Sequence, residues 1–217
     1  MAVEISVLVD NEAYPPLKPE WGLSIKVETP QWSLLWDTGA TPQTLKYNAS
    51  QMGKSLDVDF LVFSHRHWDH TGGYEAVNVK EVYSPYDPHF PIRAKSNPEA
   101  YEIYDGIYAT RTLEAYGIRE MGLVIDIEGY GQVLLVGCSH PGVHNIYASV
   151  VKDLGLKPRI VIGGFHLFGA PKRVVESVIS SLKNMGAKEL HPIHCSGEYA
   201  KRLAGSNAAA GFVLRLP

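Results

Sequence analysis

The sequence predicts an α+β fold in which two sheets pack together with helices outside. Short apolar runs bounded by turn residues fill the first part of the chain, and later runs alternate with stretches of helical periodicity. The length of 217 residues suits one domain, so residues 1–217 are expected to form a single one.

The expected strands follow in order. Ile5–Val9 precedes the turn residues Asp10 and Asn11, and Leu23–Glu28 alternates apolar and polar positions. Trp32–Trp36 ends in Asp37-Thr38-Gly39. Val58–Phe63 is almost wholly apolar, as a strand buried on both faces would be. Val79–Tyr83 is shorter, and Gly122–Glu128 and Gln132–Gly137 flank a hairpin signal at Gly129-Tyr130-Gly131. Arg159–Gly163 and Leu190–Ile193 complete the set. Helices are expected from Thr41-Pro42 to about Met52, over Gly142–Leu154, over Pro171–Met185 and over Glu198–Leu203. Four prolines between Tyr83 and Ala109 make that stretch read as a long loop.

Composition excludes several classes of function. Hydrophobic residues make up 45% and charged residues 20% of the chain, which excludes wholesale disorder. Twenty Lys+Arg against 23 Asp+Glu leave a net charge of −3, with no basic run, so no nucleic-acid partner is expected. The N-terminal residues lack a basic region and Glu4 interrupts their apolar stretch, so no signal peptide is expected. No run approaches the ~18 apolar residues of a membrane span, and a cytoplasmic protein with no membrane partner is expected. Two cysteines cannot build a disulfide framework or an all-thiolate metal site, so a bound metal would need histidine and carboxylate.

Six of the nine histidines follow expected strands. Val58–Phe63 runs into Ser64-His65-Arg66-His67-Trp68-Asp69-His70, and Gln132–Gly137 into Cys138-Ser139-His140. Arg159–Gly163 leads to His166, and Leu190–Ile193 to His194-Cys195. Strand ends on one sheet edge lie close together, so these groups can converge. His65 and His67, two apart in extended chain, face the same way, and a following turn brings Asp69 and His70 to a second point. His140 reads as a third ligand for the first pair and His194 for the second. The set suits two divalent metal ions, zinc first, with iron or manganese as alternatives. Three readings stay open for His166: ligand, substrate contact and structural residue. Asp37, at the end of a buried strand, reads as the carboxylate that holds a ligand histidine by its second nitrogen. His89, His144 and His191 have no such placement.

His65-Arg66-His67-Trp68-Asp69-His70 resembles the HxHxDH motif of the metallo-β-lactamase superfamily, and His140, His194 and Asp37-Thr38-Gly39 fit the same pattern. The resemblance spans nearly the whole chain. It implies a four-layer αββα sandwich with a binuclear metal centre at one edge. His65, His67 and His140 would hold one ion, and Asp69, His70 and His194 the other. A narrower resemblance rests on Trp21-Gly22-Leu23-Ser24, Gly137-Cys138-Ser139-His140-Pro141-Gly142, Gly163-Gly164-Phe165-His166-Leu167 and His194-Cys195-Ser196-Gly197. It points to the branch that contains dihydropterin-ribofuranosyl-aminobenzene-phosphate synthase, of methanopterin biosynthesis. The superfamily usually places a metal-bridging acid where this chain has His166.

The resemblance implies a binuclear hydrolase that uses a metal-bound hydroxide on an ester, phosphoester or related bond of a small molecule. Asp69 would be ligand and proton shuttle, and His166 would donate a proton or hydrogen bond to the leaving group. The substrate would be anionic or pterin-like. Arg66, Arg93, Lys95 and Asn145 are candidate anion contacts by position alone. The narrower resemblance implies a pterin-linked condensation instead. A third reading is a di-iron redox or ligand-sensing protein, with Cys138 and Cys195 beside proposed ligands. Neutral buried thiols are the simpler account of that pair.

Overall fold

The computed structural model describes residues 2–217, which divide into two compact units. The first comprises residues 2–96 and 208–217, the second Asn97–Asn207.

The first unit holds one six-stranded sheet in the order β14-β1-β2-β3-β4-β5. Its strands are β1 (Val3–Val9), β2 (Ser24–Glu28), β3 (Ser33–Trp36), β4 (Asp57–Val62), β5 (Asn78–Tyr83) and β14 (Val213–Leu216). The strands from β14 to β3 pair antiparallel, whereas β3, β4 and β5 run parallel. Helix α1 (Pro42–Gln51) starts as its proline implies: the Thr41 hydroxyl caps the Thr44 N–H, and Pro42 occupies the first turn, where a missing N–H costs nothing. Leu45 and Ala49 of α1 pack on Leu8, Leu35, Val58, Leu61 and Phe63 in one buried cluster. A single helical turn, α2 (Trp68–Thr71), lies within the histidine motif.

The second unit holds a sheet in the order β13-β12-β11-β10-β7-β6. Its strands are β6 (Tyr101–Tyr104), β7 (Ile107–Ala109), β10 (Leu123–Ile127), β11 (Gly131–Val136), β12 (Ile160–Gly164) and β13 (Glu189–Ile193). A separate hairpin joins β8 (Leu113–Ala115) to β9 (Ile118–Glu120). Pro192 lies inside β13, which is an edge strand, where a missing N–H is tolerated. Helices α3 (Val143–Leu154), α4 (Lys172–Met185) and α5 (Glu198–Ala204) complete the unit. Val175, Val178, Ile179 and Leu182 form the buried stripe of α4 at helical spacing and pack with Val143, Ile146, Tyr147 and Val150 of α3.

The expected strands and helices are present, with ends moved by one or two residues. Two readings need correction. The stretch from Tyr83 to Ala109 is not loop throughout, because β6 and β7 pair across a turn at Asp105-Gly106. Only alternate residues of β6 are partly buried, so its apolar signal is faint beside the prolines before it. The hairpin β8–β9 and the strand β14 were not expected at all.

Candidate metal centre

In the first unit, the parallel strands β3 and β4 deliver Asp37 and Ser64-His65 to neighbouring positions. Asp37 is fully buried and has a positive φ of 57°, a conformation that non-glycine residues adopt at a cost. The bend turns its carboxylate onto the motif. Oδ1 accepts the Ser64 N–H at 2.8 Å, and Oδ2 accepts the Ser64 hydroxyl and the His70 Nδ1–H, both at 2.6 Å. Burial pushes His70 down from its ordinary value, but the Asp37 and Asp69 carboxylates outweigh it and lift it to about 10. With its Nδ1 proton held by Asp37, His70 turns Nε2 toward Asp69, and that nitrogen becomes a metal donor on giving up its proton.

His65 is fixed in the same way at one remove. Ser64 Oγ gives its proton to Asp37 and lies 2.8 Å from His65 Nδ1, so it accepts from that nitrogen. His65 Nε2 then faces His67 Nδ1 at 3.1 Å. Two nitrogens each about 2.05 Å from one tetrahedral ion lie about 3.3 Å apart, so this spacing fits two ligands of one ion. His70 Nε2 and Asp69 Oδ2 stand 3.4 Å apart as a second pair.

The motif is clamped from below. The Thr38 N–H and hydroxyl both donate to the His70 carbonyl, at 2.7 and 2.9 Å. Gly72 and Gly73 let the chain pass: a Cβ on either would lie 2.0 Å from the carbonyl oxygen of Ala40 or Thr38. These glycines are required by close approach of backbone, not by a positive φ.

In the second unit, β11, β12 and β13 are adjacent and parallel, and their C-terminal ends carry Cys138-Ser139-His140, Phe165-His166 and His194-Cys195. Ser139, His166 and His194 all have positive φ, between 54° and 61°. Such outliers cluster where a site over-determines the backbone. The His140 and His166 rings lie 4.6 Å apart. A ring nitrogen of His194 lies within 4.8 Å of Cys138 Sγ.

Glu120, at the end of β9, organises this edge and was missed by the sequence reading. It is fully buried. Oε1 accepts the N–H groups of Cys138 and Ser139, and Oε2 accepts the N–H and Nδ1–H of His140, all at 2.7–2.8 Å. Burial raises the Glu120 carboxyl, but His140 and the backbone amides more than reverse this and hold it below the usual carboxylate value. The bond from Nδ1 to Glu120 makes Nε2 the nitrogen that His140 can offer to a metal. The signal in the sequence was faint: one acid two residues before an apolar strand.

Sequence-based expectations for other residues divide. His191 bonds Glu189 and Ser206 at 2.6 and 2.8 Å and is structural. The Arg66 guanidinium is paired with nearly buried Asp87 at 2.8 Å and Lys95 with Glu81 at 2.8 Å. Asn145 donates to the Pro141 carbonyl. Hydrogen bonding from Cys138, opposed by burial and helped by His166, draws Cys195 below the ordinary cysteine value. The described residues thus include His, Asp and Cys groups able to hold a metal ion.

No family model matches the chain. It is 24% identical, over 87% of its length and 85% of the relative's, to 7,8-dihydropterin-6-methyl-4-(β-D-ribofuranosyl)-aminobenzene-5′-phosphate synthase of Methanocaldococcus jannaschii. A solved structure described as a metal-dependent hydrolase of the β-lactamase superfamily superposes with a TM-score of 0.81, covering 99% of both chains at 22% identity. The chain has the metallo-β-lactamase fold. A diphosphatase of the PhnP family also shares the metallo-β-lactamase fold, with a TM-score of 0.62, 17% identity, and coverage of 100% of this chain and 98% of that one. Among the described residues no helix is long and apolar enough to cross a membrane.

Proposed function

We propose that this protein is a metal-dependent hydrolase of an ester, phosphoester or related bond in a small anionic substrate. Its centre would be binuclear, with His65, His67 and His140 holding one divalent ion and Asp69, His70 and His194 the other. The observation that carries the reading is the pair of buried carboxylates. Asp37 holds Nδ1 of His70 and Glu120 holds Nδ1 of His140, each making Nε2 the nitrogen to be offered to a metal. Metal-binding histidines are oriented in this way.

Imidazole and carboxylate donors fit zinc, iron or manganese. A divalent ion there supplies Lewis acidity and lowers the pKa of a coordinated water towards 7. Asp69 would take up a proton at its carboxylate as the nucleophile is formed. His166 would donate its N–H to the leaving group or developing oxyanion, its own proton affinity raised by Cys195. The fold shared with a diphosphatase favours a phosphate-bearing substrate.

The test is metal analysis combined with hydrolysis of a panel of phosphomonoesters, diphosphates and carboxylic esters. Chelation should abolish turnover and re-addition of zinc or manganese should restore it. Full activity in metal-free protein, or no hydrolysis by metal-loaded protein across the panel, would overturn the reading.

A second reading is pterin-linked condensation, favoured by the methanogen relative and by two exposed tryptophans. Trp68 is 63% exposed beside Asp69. Trp21 is 52% exposed beside Gly22, whose Cβ position lies 2.7 Å from the Asp69 carbonyl. Both offer faces on which a planar heterocycle can stack. Incubation with dihydropterin diphosphate and an aminobenzene ribosyl-phosphate should then give a coupled product, and its absence with metal-loaded protein would remove this reading.

A further inference from the structure

We propose that Cys138 is itself a metal ligand, completing through its sulfur the coordination of the ion held by His194. The proposal rests on the metal-centre reading above and deepens it.

The strand ends beside His194 lack a carboxylate for this task. The segments at the ends of β11, β12 and β13, residues 137–140, 164–166 and 194–196, contain no Asp or Glu. The acid that does reach them, Glu120, has both oxygens committed to three backbone N–H groups and His140 Nδ1–H. A divalent ion at His194 would therefore find no carboxylate within these three segments. Sulfur is the anionic donor that these segments offer.

Of the two thiols, geometry selects Cys138. Its Sγ lies within 4.8 Å of a His194 ring nitrogen, a separation that two ligands of one ion can reach with small side-chain adjustment, at about 2.3 Å for Zn–S and 2.0–2.1 Å for Zn–N. Cys195 is turned to a supporting position. Its Sγ lies 3.4 Å from the Cys138 carbonyl oxygen and it hydrogen-bonds the Cys138 and His166 side chains. Its own S–H is thus directed at the Cys138 backbone and not at the metal side of the Cys138 sulfur. Gly164 keeps the space open: a Cβ there would stand 2.7 Å from Cys195 Sγ and 3.3 Å from Cys138 Cα. A thiolate also narrows the choice of ion, since soft sulfur favours zinc over magnesium, calcium or manganese.

X-ray absorption at the zinc edge of the full-length, zinc-loaded protein tests this directly. A sulfur scatterer at about 2.3 Å is expected. The cobalt-substituted protein should show a sulfur-to-cobalt charge-transfer band in the near ultraviolet. That band should be absent from Cys138→Ser and Cys138→Ala and present in Cys195→Ala. Affinity for one ion should fall at least ~10-fold in the Cys138 variants, the minimum seen when even outer partners of ligands are removed. A wild-type protein with its metal in nitrogen and oxygen ligands only overturns the Cys138 assignment and leaves the metal-centre reading standing. A band lost with Cys195 instead overturns it too. A protein that takes up no metal overturns both.

Discussion

The two units each bury one carboxylate to aim one histidine, yet they do it with different machinery. In the first, Asp37 bonds only a serine and an imidazole, and the Ser64 hydroxyl and the His70 ring can each exchange donor and acceptor roles. In the second, Glu120 faces three backbone N–H groups, which can only donate. The first carboxylate is therefore chiefly an orienter of side chains. The second is also a structural keystone for the turn that carries His140. Similar sites can thus differ in how separable stability is from metal binding.

The largest effects should come where backbone passes backbone. Gly163→Ala combines a φ of +136° with a Cβ 2.0 Å from the Val136 carbonyl oxygen, and Gly73→Ala has the same overlap with Thr38 without the φ penalty. Overpacking costs typically 1–3 kcal/mol and sometimes more, so both should lose at least about 3 kcal/mol in denaturant unfolding, Gly163→Ala the more. Near-wild-type stability in either would show that the strand ends are looser than described.

Next come the carboxylates. Glu120→Gln places an amide donor against backbone donors and should lose about 2–4 kcal/mol, as well as ~10–100-fold in metal affinity. Asp37→Asn should lose the same affinity but less than about 2 kcal/mol, because the His70 tautomer and the serine rotor adapt. Equal stability losses would erase the contrast between the units. Protons sharpen it further. Glu120 titrates below its ordinary 4.5 in the folded protein, so its contribution is full above pH 4.5 and is lost as the pH falls through its lowered value. Acid unfolding of the metal-free protein should be shallower in Glu120→Gln than in wild type.

Smaller changes follow. Thr38→Val removes the hydroxyl bond to the His70 carbonyl while the Thr38 N–H still donates there, for a loss of about 1 kcal/mol by thermal melting. Lys80→Ala breaks an exposed ion pair with Asp59 and should leave the melting temperature unchanged.

Much of this was legible in the sequence where the signal was local. His65, His67, Asp69 and His70 stand together in six residues after an apolar strand. His140, His166 and His194 each follow a strand, and parallel pairing of β11, β12 and β13 brings those ends to one edge. Asp37 was legible because an acid ending a buried strand needs a partner. Glu120 was not, because its role depends on where β9 places it, and β9 is a three-residue strand in a two-strand hairpin. Ser64 was hidden inside a motif whose histidines drew the eye, though it is the atom that couples Asp37 to His65.

The central proposal is that these histidine clusters serve metal-dependent hydrolysis. Its most direct test is metal content measured alongside phosphoester hydrolysis in wild type, His65→Ala/His67→Ala and Glu120→Gln, before and after chelation. The account predicts two equivalents of metal in wild type, loss of at least one in the double variant, weakened binding in Glu120→Gln, and turnover that vanishes and returns with the metal. Turnover unaffected by chelation, or metal content unchanged by all of these substitutions, would contradict it.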